Sequence, residues 1–167
     1  DAVINNYSAN NYEKIVRQIQ ILNEDYRKIS GTNGFGGGVD TQIEFCLATK
    51  SPDGSITDGI TKIYGALPVW DINAESTQNN SDYALKHLRH WPEDRYLNLY
   101  VAQLEQLTND DGSKSDLLGY GTFPSELSSY PDLDGGVISD KYFGDNNYNS
   151  AFGKGRTLTH EVGHWLN

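Results

Sequence analysis

The chain has 167 residues, 37% of them hydrophobic, and carries 13 Lys and Arg against 23 Asp and Glu, a formal net charge of −10. An acidic surface excludes a nucleic-acid binder as the first reading, because neutralising phosphates needs a basic one. No apolar run reaches the ~18 residues of a membrane span, and the apolar content suits one core, so a single soluble domain over residues 1–167 is expected.

The single cysteine, Cys46, excludes a disulfide within these residues, and there is no methionine. Seventeen glycines among many Asn, Ser, Asp and Tyr have the composition of a loop-rich secreted protein.

In chain order, Tyr12, Ile15, Val16, Ile19, Leu22, Tyr26 and Ile29 recur at spacings of three and four, which predicts an amphipathic helix. Asn10 and Glu13 have the spacing of a capping box, and Gly31 offers a left-handed stop. The glycines of 34–38 read as a linker, since a phosphate loop needs a strand before it and a helix behind it, and the order here is reversed. Gln42 to Thr49 alternates, with Ile43, Phe45 and Leu47 on one face and Glu44 and Cys46 on the other, which predicts a strand, with Cys46 as a buried small hydrophobe. Residues 56–80 are polar and irregular. Ser81 then caps a short helix through Tyr83, Ala84, Leu85 and Leu88 that Pro92 terminates. Strands follow at Tyr96–Val101, at Leu117–Phe123 before Pro124, and at Gly136–Ser139, with a last helix from about Arg156. This order indicates an α+β or mixed α/β layer fold.

The chemistry is concentrated at the end. Thr157 to Asn167 contains His160-Glu161-x-x-His164, and on a helix positions four apart are separated by about 40° and one turn, so both imidazoles project from one face. Two imidazole ligands for Zn²⁺, an open position for water and a neighbouring carboxylate to take its proton are what metal-assisted hydrolysis requires. Leu158, Val162 and Leu166, also four apart, are expected to pack the helix on the core. The bland alternative is a solvated histidine pair, but two of only four histidines in the chain bracket the Glu at the required spacing. His87 and His90 read as surface or capping residues rather than a metal pair. Asp132, Asp134, Asp140 and Asp145 offer hard oxygen ligands for Ca²⁺, or else form a solvated acidic loop.

The ending GRTLTHEVGHWLN resembles the zinc helix of the pappalysin family of metzincin metallopeptidases, and IEFCLAT with its D-G turn, INAES, WPEDRYLNLYV, LLGYGTFP and LDGGVISDKYFG resemble the same family in order. The resemblance runs from about Gln42 to the end. It implies the upper subdomain of a metzincin catalytic domain: a twisted, mostly parallel five-stranded sheet with an antiparallel edge strand, a backing helix and an active-site helix. It also implies a zinc-dependent endopeptidase, with His160 and His164 as metal ligands and Glu161 as general base. In the family pattern Gly119, Tyr120, Gly121, Thr122 and Phe123 match the upper-rim strand, which pairs with an extended protein or peptide substrate. The glycines Gly119 and Gly121 would let another backbone approach closely.

Two features depart from the pattern. Metzincins extend the motif to H-E-x-x-H-x-x-G-x-x-H, but the glycine position is Asn167 and the third histidine would fall three residues beyond it. The family's Met-turn also has no counterpart among these residues. Both departures suit an N-terminal subdomain truncated at the zinc helix, with the C-terminal half expected beyond Asn167. The alternative is a catalytically inactive fragment or peptide-binding module lacking the third zinc ligand.

Overall fold

The computed structural model describes residues 2–4, 9–65, 68–145 and 151–167, with side chains from residue 12 onward. Its first helix, α1 (Ala9–Tyr26), buries Ile15, Gln18, Ile21 and Leu22 along one stripe. The helix starts before Asn10, so that residue is not the cap its spacing suggested, and its side chain lies outside the described residues. It also stops at Tyr26, with Lys28 already left-handed at φ 49°, which leaves Ile29 exposed, as Tyr12 is at the other end.

Five strands form one sheet: β1 (Ala2–Ile4), β2 (Ile60–Lys62), β3 (Leu99–Ala102), β6 (Gly119–Gly121) and β7 (Gly136–Ser139), in the order β2-β1-β3-β7-β6. All neighbours are parallel except β6, which runs antiparallel to β7 in the register Gly119 with Ile138 and Gly121 with Gly136. The mostly parallel sheet with an antiparallel edge strand is thus the one expected. Both faces are covered, as parallel strands require. Val101 and Ile138 face a cluster with Ile15, Leu22, Leu158 and Val162 beneath α1 and α3 (Arg156–Leu166). Tyr100, Ala102 and Val137, the alternating residues, face Trp70, Leu85 and Leu104 on the side of α2 (Asp82–His87). A small hairpin, β4 (Leu107–Thr108) with β5 (Lys114–Ser115), closes on the turn at Asp110-Asp111-Gly112.

Several expectations need correction. Gln42–Thr49 belongs to no sheet: Gln42 is left-handed at φ 62°, Thr49 lies in a bend, and the backbone of Phe45 is taken by a side chain. Asn23 of α1 donates to the Phe45 carbonyl at 2.9 Å and accepts from the Phe45 N–H at 2.7 Å. Phe45 and Leu47 still turn toward the core, so the alternation holds, but Cys46 on the opposite side is exposed, not buried. The irregular stretch after Ile56 contributes β2, and α2 ends at His87, well before Pro92. Ser81 does cap that helix, accepting from the Ala84 N–H at 3.2 Å.

Candidate active site

The His-Glu-x-x-His helix is fixed at both ends by the rest of the fold. Gln18, buried in α1, donates to the Gly155 carbonyl at 2.8 Å and accepts from the Gly144 N–H at 2.9 Å, holding the loop that leads into α3. Asp25 accepts from Thr159 Oγ1 at 2.7 Å and pairs with Arg156 at 2.7 Å, and Tyr26 donates to the Thr159 carbonyl. At the other end Trp165 Nε1 donates to the buried carboxylate of Asp134. Leu158 and Val162 enter the core, but Leu166 is 37% exposed. Positions four apart drift by about 40°, so two steps carry Leu166 off the face that Leu158 occupies.

On the opposite face the two Nε2 atoms of His160 and His164 lie 3.0 Å apart, with the rings nearly perpendicular. Two nitrogens on one tetrahedral zinc at about 2.0–2.1 Å stand roughly 3.3 Å apart, so the pair fits that ion in donor type and in convergence. Among the described residues no third His, Cys, Asp or Glu joins them. Glu161, between them in sequence, is 7% exposed. Burial pushes its carboxyl above the ordinary carboxylate range, and the two imidazoles pull it back.

The edge strand β6 lies directly over this helix. A Cβ on Gly121 would stand 2.5 Å from the Glu161 carbonyl oxygen, and one on Gly119 2.7 Å from the Val137 oxygen and 3.3 Å from Glu161 Cγ. The close backbone approach that these glycines allow is therefore that of α3 and β7. Leu118 accepts from the Ser139 N–H and Thr122 donates to the Gly135 carbonyl. By antiparallel alternation the backbone groups of Gly119, Gly121 and Phe123 face away from β7, toward an edge that no strand among the described residues covers. Those of Phe123 are already engaged by Glu126, whose carboxylate accepts from the Phe123 N–H at 2.9 Å and whose N–H donates to the Phe123 carbonyl at 2.9 Å. The Phe123 ring instead lies 5.0 Å from the His164 ring.

Other sequence candidates have separate partners. His87 Nδ1 lies 2.7 Å from the Tyr83 carbonyl and its Nε2 3.0 Å from Asp132, while His90 Nδ1 meets the Tyr100 hydroxyl at 2.9 Å. They form no metal pair. Asp134 holds Trp165, Asp132 holds His87 and Asp145 faces Arg17, and among the described residues no three acidic or histidine groups gather as a metal site, so the calcium expectation has no support. The roles of Gln18, Asp25, Glu126 and Asp134 were missed. Only the last two carried a signal: Phe123-Pro-Ser-Glu126 has capping-box spacing, and Asp134 sits in a stretch that matches the family.

A mixed sheet whose antiparallel edge strand overlies a His-Glu-x-x-His helix defines the class as a metzincin peptidase fold. Mirolysin in complex with compound 9 is 35% identical with a TM-score of 0.75, over 97% of this chain and 57% of that one. Tannerella forsythia mature mirolysin in complex with a cleaved peptide is 34% identical with a TM-score of 0.77, over 99% of this chain and 61% of that one. A Tannerella forsythia promirolysin mutant is 34% identical with a TM-score of 0.75, over 99% of this chain and 53% of that one. The pattern of the Pregnancy-associated plasma protein-A peptidase family matches residues 78–167. The chain belongs to this family, the pappalysins. It spans 53–61% of the length of these solved relatives. Comparison with curated proteins gave no match. Among the described residues no helix is long and apolar enough to cross a membrane.

Proposed function

We propose that residues 1–167 are the N-terminal subdomain of a zinc-dependent endopeptidase whose catalytic domain is completed by residues after Asn167. The observation that carries this reading is the convergence of His160 and His164 at 3.0 Å beside the buried Glu161, under an open sheet edge. Zinc held by the two imidazoles would supply Lewis acidity toward the scissile carbonyl and acidify the attacking water. Glu161 takes that water's proton and returns it to the leaving amine nitrogen. The substrate is an extended protein or peptide, paired antiparallel with the free backbone groups of Gly119 and Gly121, a mode that places its carbonyl carbon over the motif. Tyr120 and Thr122 orient that edge from behind, and the Phe123 ring borders the cleft beside His164. The mirolysin complex with a cleaved peptide supports a peptide substrate. The glycine-rich, acidic composition supports an extracellular setting.

The test is Glu161→Gln in the full-length protein. Peptide hydrolysis is expected to fall by at least about 10³-fold while zinc content, measured by atomic absorption, is retained. Surviving hydrolysis would remove Glu161 from the role of base. A wild-type protein that binds peptides and never cleaves them would favour the inactive-module alternative.

A further inference from the structure

Behind the edge strand, on the face away from α3, lies a second cavity of about 330 Å³ between β6, α2 and the turn after Phe123. Its walls include Ile72, Tyr120, Thr122 and Tyr130, and its charged groups are Asp82, Lys86 and Glu126. Lys86 is 3% exposed and its ammonium is engaged: by Asp82 at 3.2 Å, the Leu133 carbonyl at 2.7 Å and Thr122 Oγ1 at 3.4 Å. Asp82 also accepts from the Tyr120 hydroxyl at 2.6 Å. The Lys86 and Asp82 charges cancel, and the carboxylate of Glu126 leaves the cavity with one net negative charge.

The strand geometry says which part of a peptide reaches this cavity. Across an antiparallel pair, residues directly opposite put their side chains on the same face. A peptide residue opposite Gly119 or Gly121 therefore faces α3, and one opposite Tyr120 or Thr122 faces the cavity. Glu126 has taken both edge groups of Phe123, and Pro124 has no N–H, so backbone pairing ends at Gly121. Beyond that point the next peptide side chain would lie over the cavity mouth, which Glu126 lines. β6 passes Glu161 at both Gly119 and Gly121 and reaches Phe123 beside His164, so an antiparallel peptide would place its N-terminal part at the Phe123 end.

Resting on the peptidase reading above, we propose that this cavity is a subsite for a lysine or arginine side chain on the N-terminal side of the cleaved bond. The aromatic and aliphatic walls cover the methylene stem, and the Glu126 carboxylate meets the cationic head.

The test uses the full-length, zinc-loaded enzyme and one peptide series in which each position N-terminal to the cleavage point is in turn Lys, Arg, norleucine, Gln or Glu. Norleucine keeps the stem without the charge. One position is expected to favour Lys and Arg over norleucine by about fivefold in kcat/KM, and over Glu by more, with the preference shrinking as salt rises. In Glu126→Gln, which keeps an acceptor for the Phe123 N–H, the Lys-to-norleucine ratio should fall below about twofold. The ratio within each enzyme is the readout, so a general loss of activity does not blur it. Peptide affinities measured on the Glu161→Gln protein give the same ratio without turnover. They test the cavity even if hydrolysis fails, whereas absent hydrolysis by the wild type counts against the peptidase reading alone. Equal ratios in wild type and Glu126→Gln, or a basic preference confined to the C-terminal side of the bond, would overturn the proposal.

Discussion

Trp165 Nε1 lies 2.9 and 3.0 Å from the two carboxylate oxygens of Asp134, a residue only 3% exposed at the entrance to β7. Trp165 directly follows His164, so this contact ties the last turn of the motif helix to the sheet. A buried carboxylate that loses its donor keeps the full cost of desolvation. Trp165→Phe is therefore expected to destabilise the full-length protein by about 2–4 kcal/mol, and Asp134→Asn, which retains an acceptor, by about 1 kcal/mol. Urea unfolding measures both. Equal losses for the two variants would show that the shape of the site matters and its charge does not.

The contact between β6 and α3 makes a sharper steric prediction. Gly121→Ala places a methyl 2.5 Å from the Glu161 carbonyl oxygen, so the strand must move off the helix, at a cost of about 1–3 kcal/mol. Gly37→Ala, where nothing lies within 4 Å, should change stability by less than about 1 kcal/mol. Thermal melts of the pair provide the comparison, and similar Tm values would refute the crowding argument.

Gln18 joins two loops from the middle of α1. Gln18→Leu is nearly the same size but strands the Gly144 N–H and the Gly155 carbonyl in the core. The expected loss is about 2–4 kcal/mol, read by chemical denaturation. Hydrogen exchange should also quicken in the first turn of α3, and an unchanged exchange rate there would show that the clamp does not hold the helix start.

His90 gives a pH dependence with a definite sign. Burial lowers its pKa below the ordinary 6.5, against the pull of nearby acids, Glu93 first. The unfolded chain then binds more protons than the folded one between the two values, so stability rises with pH across that window and is lost as pH falls below 6.5. His90→Gln, which keeps a partner for the Tyr100 hydroxyl, should flatten that slope. Denaturation curves from pH 5 to 8 on both proteins test it, and parallel profiles would assign the slope to other groups.

The sequence alone determined what is local and periodic. The face shared by His160 and His164 follows from the pitch of a helix, and Ser81 could be read as a cap from its place before an apolar pattern. Alternation at Gln42–Thr49 correctly separated Phe45 and Leu47 from Glu44 and Cys46, yet it could not say whether a strand would pair with that backbone. Asn23, some twenty residues away, takes the Phe45 backbone, and Gln42 turns left-handed at the segment's start. Three-residue strands such as β1 and β2 are too short for a period to register; β1 pairs along the edge of β3, and β2 along the edge of β1. Only the tertiary structure decided that Gly121 faces the Glu161 backbone, that Glu126 ends the open edge, and that Asp134 belongs to Trp165 and to no calcium site. Each of these contacts joins side chains or backbone groups from separate elements. Their energy comes from burial and hydrogen bonding that exist only once the layers have closed, so no spacing within a single segment records them.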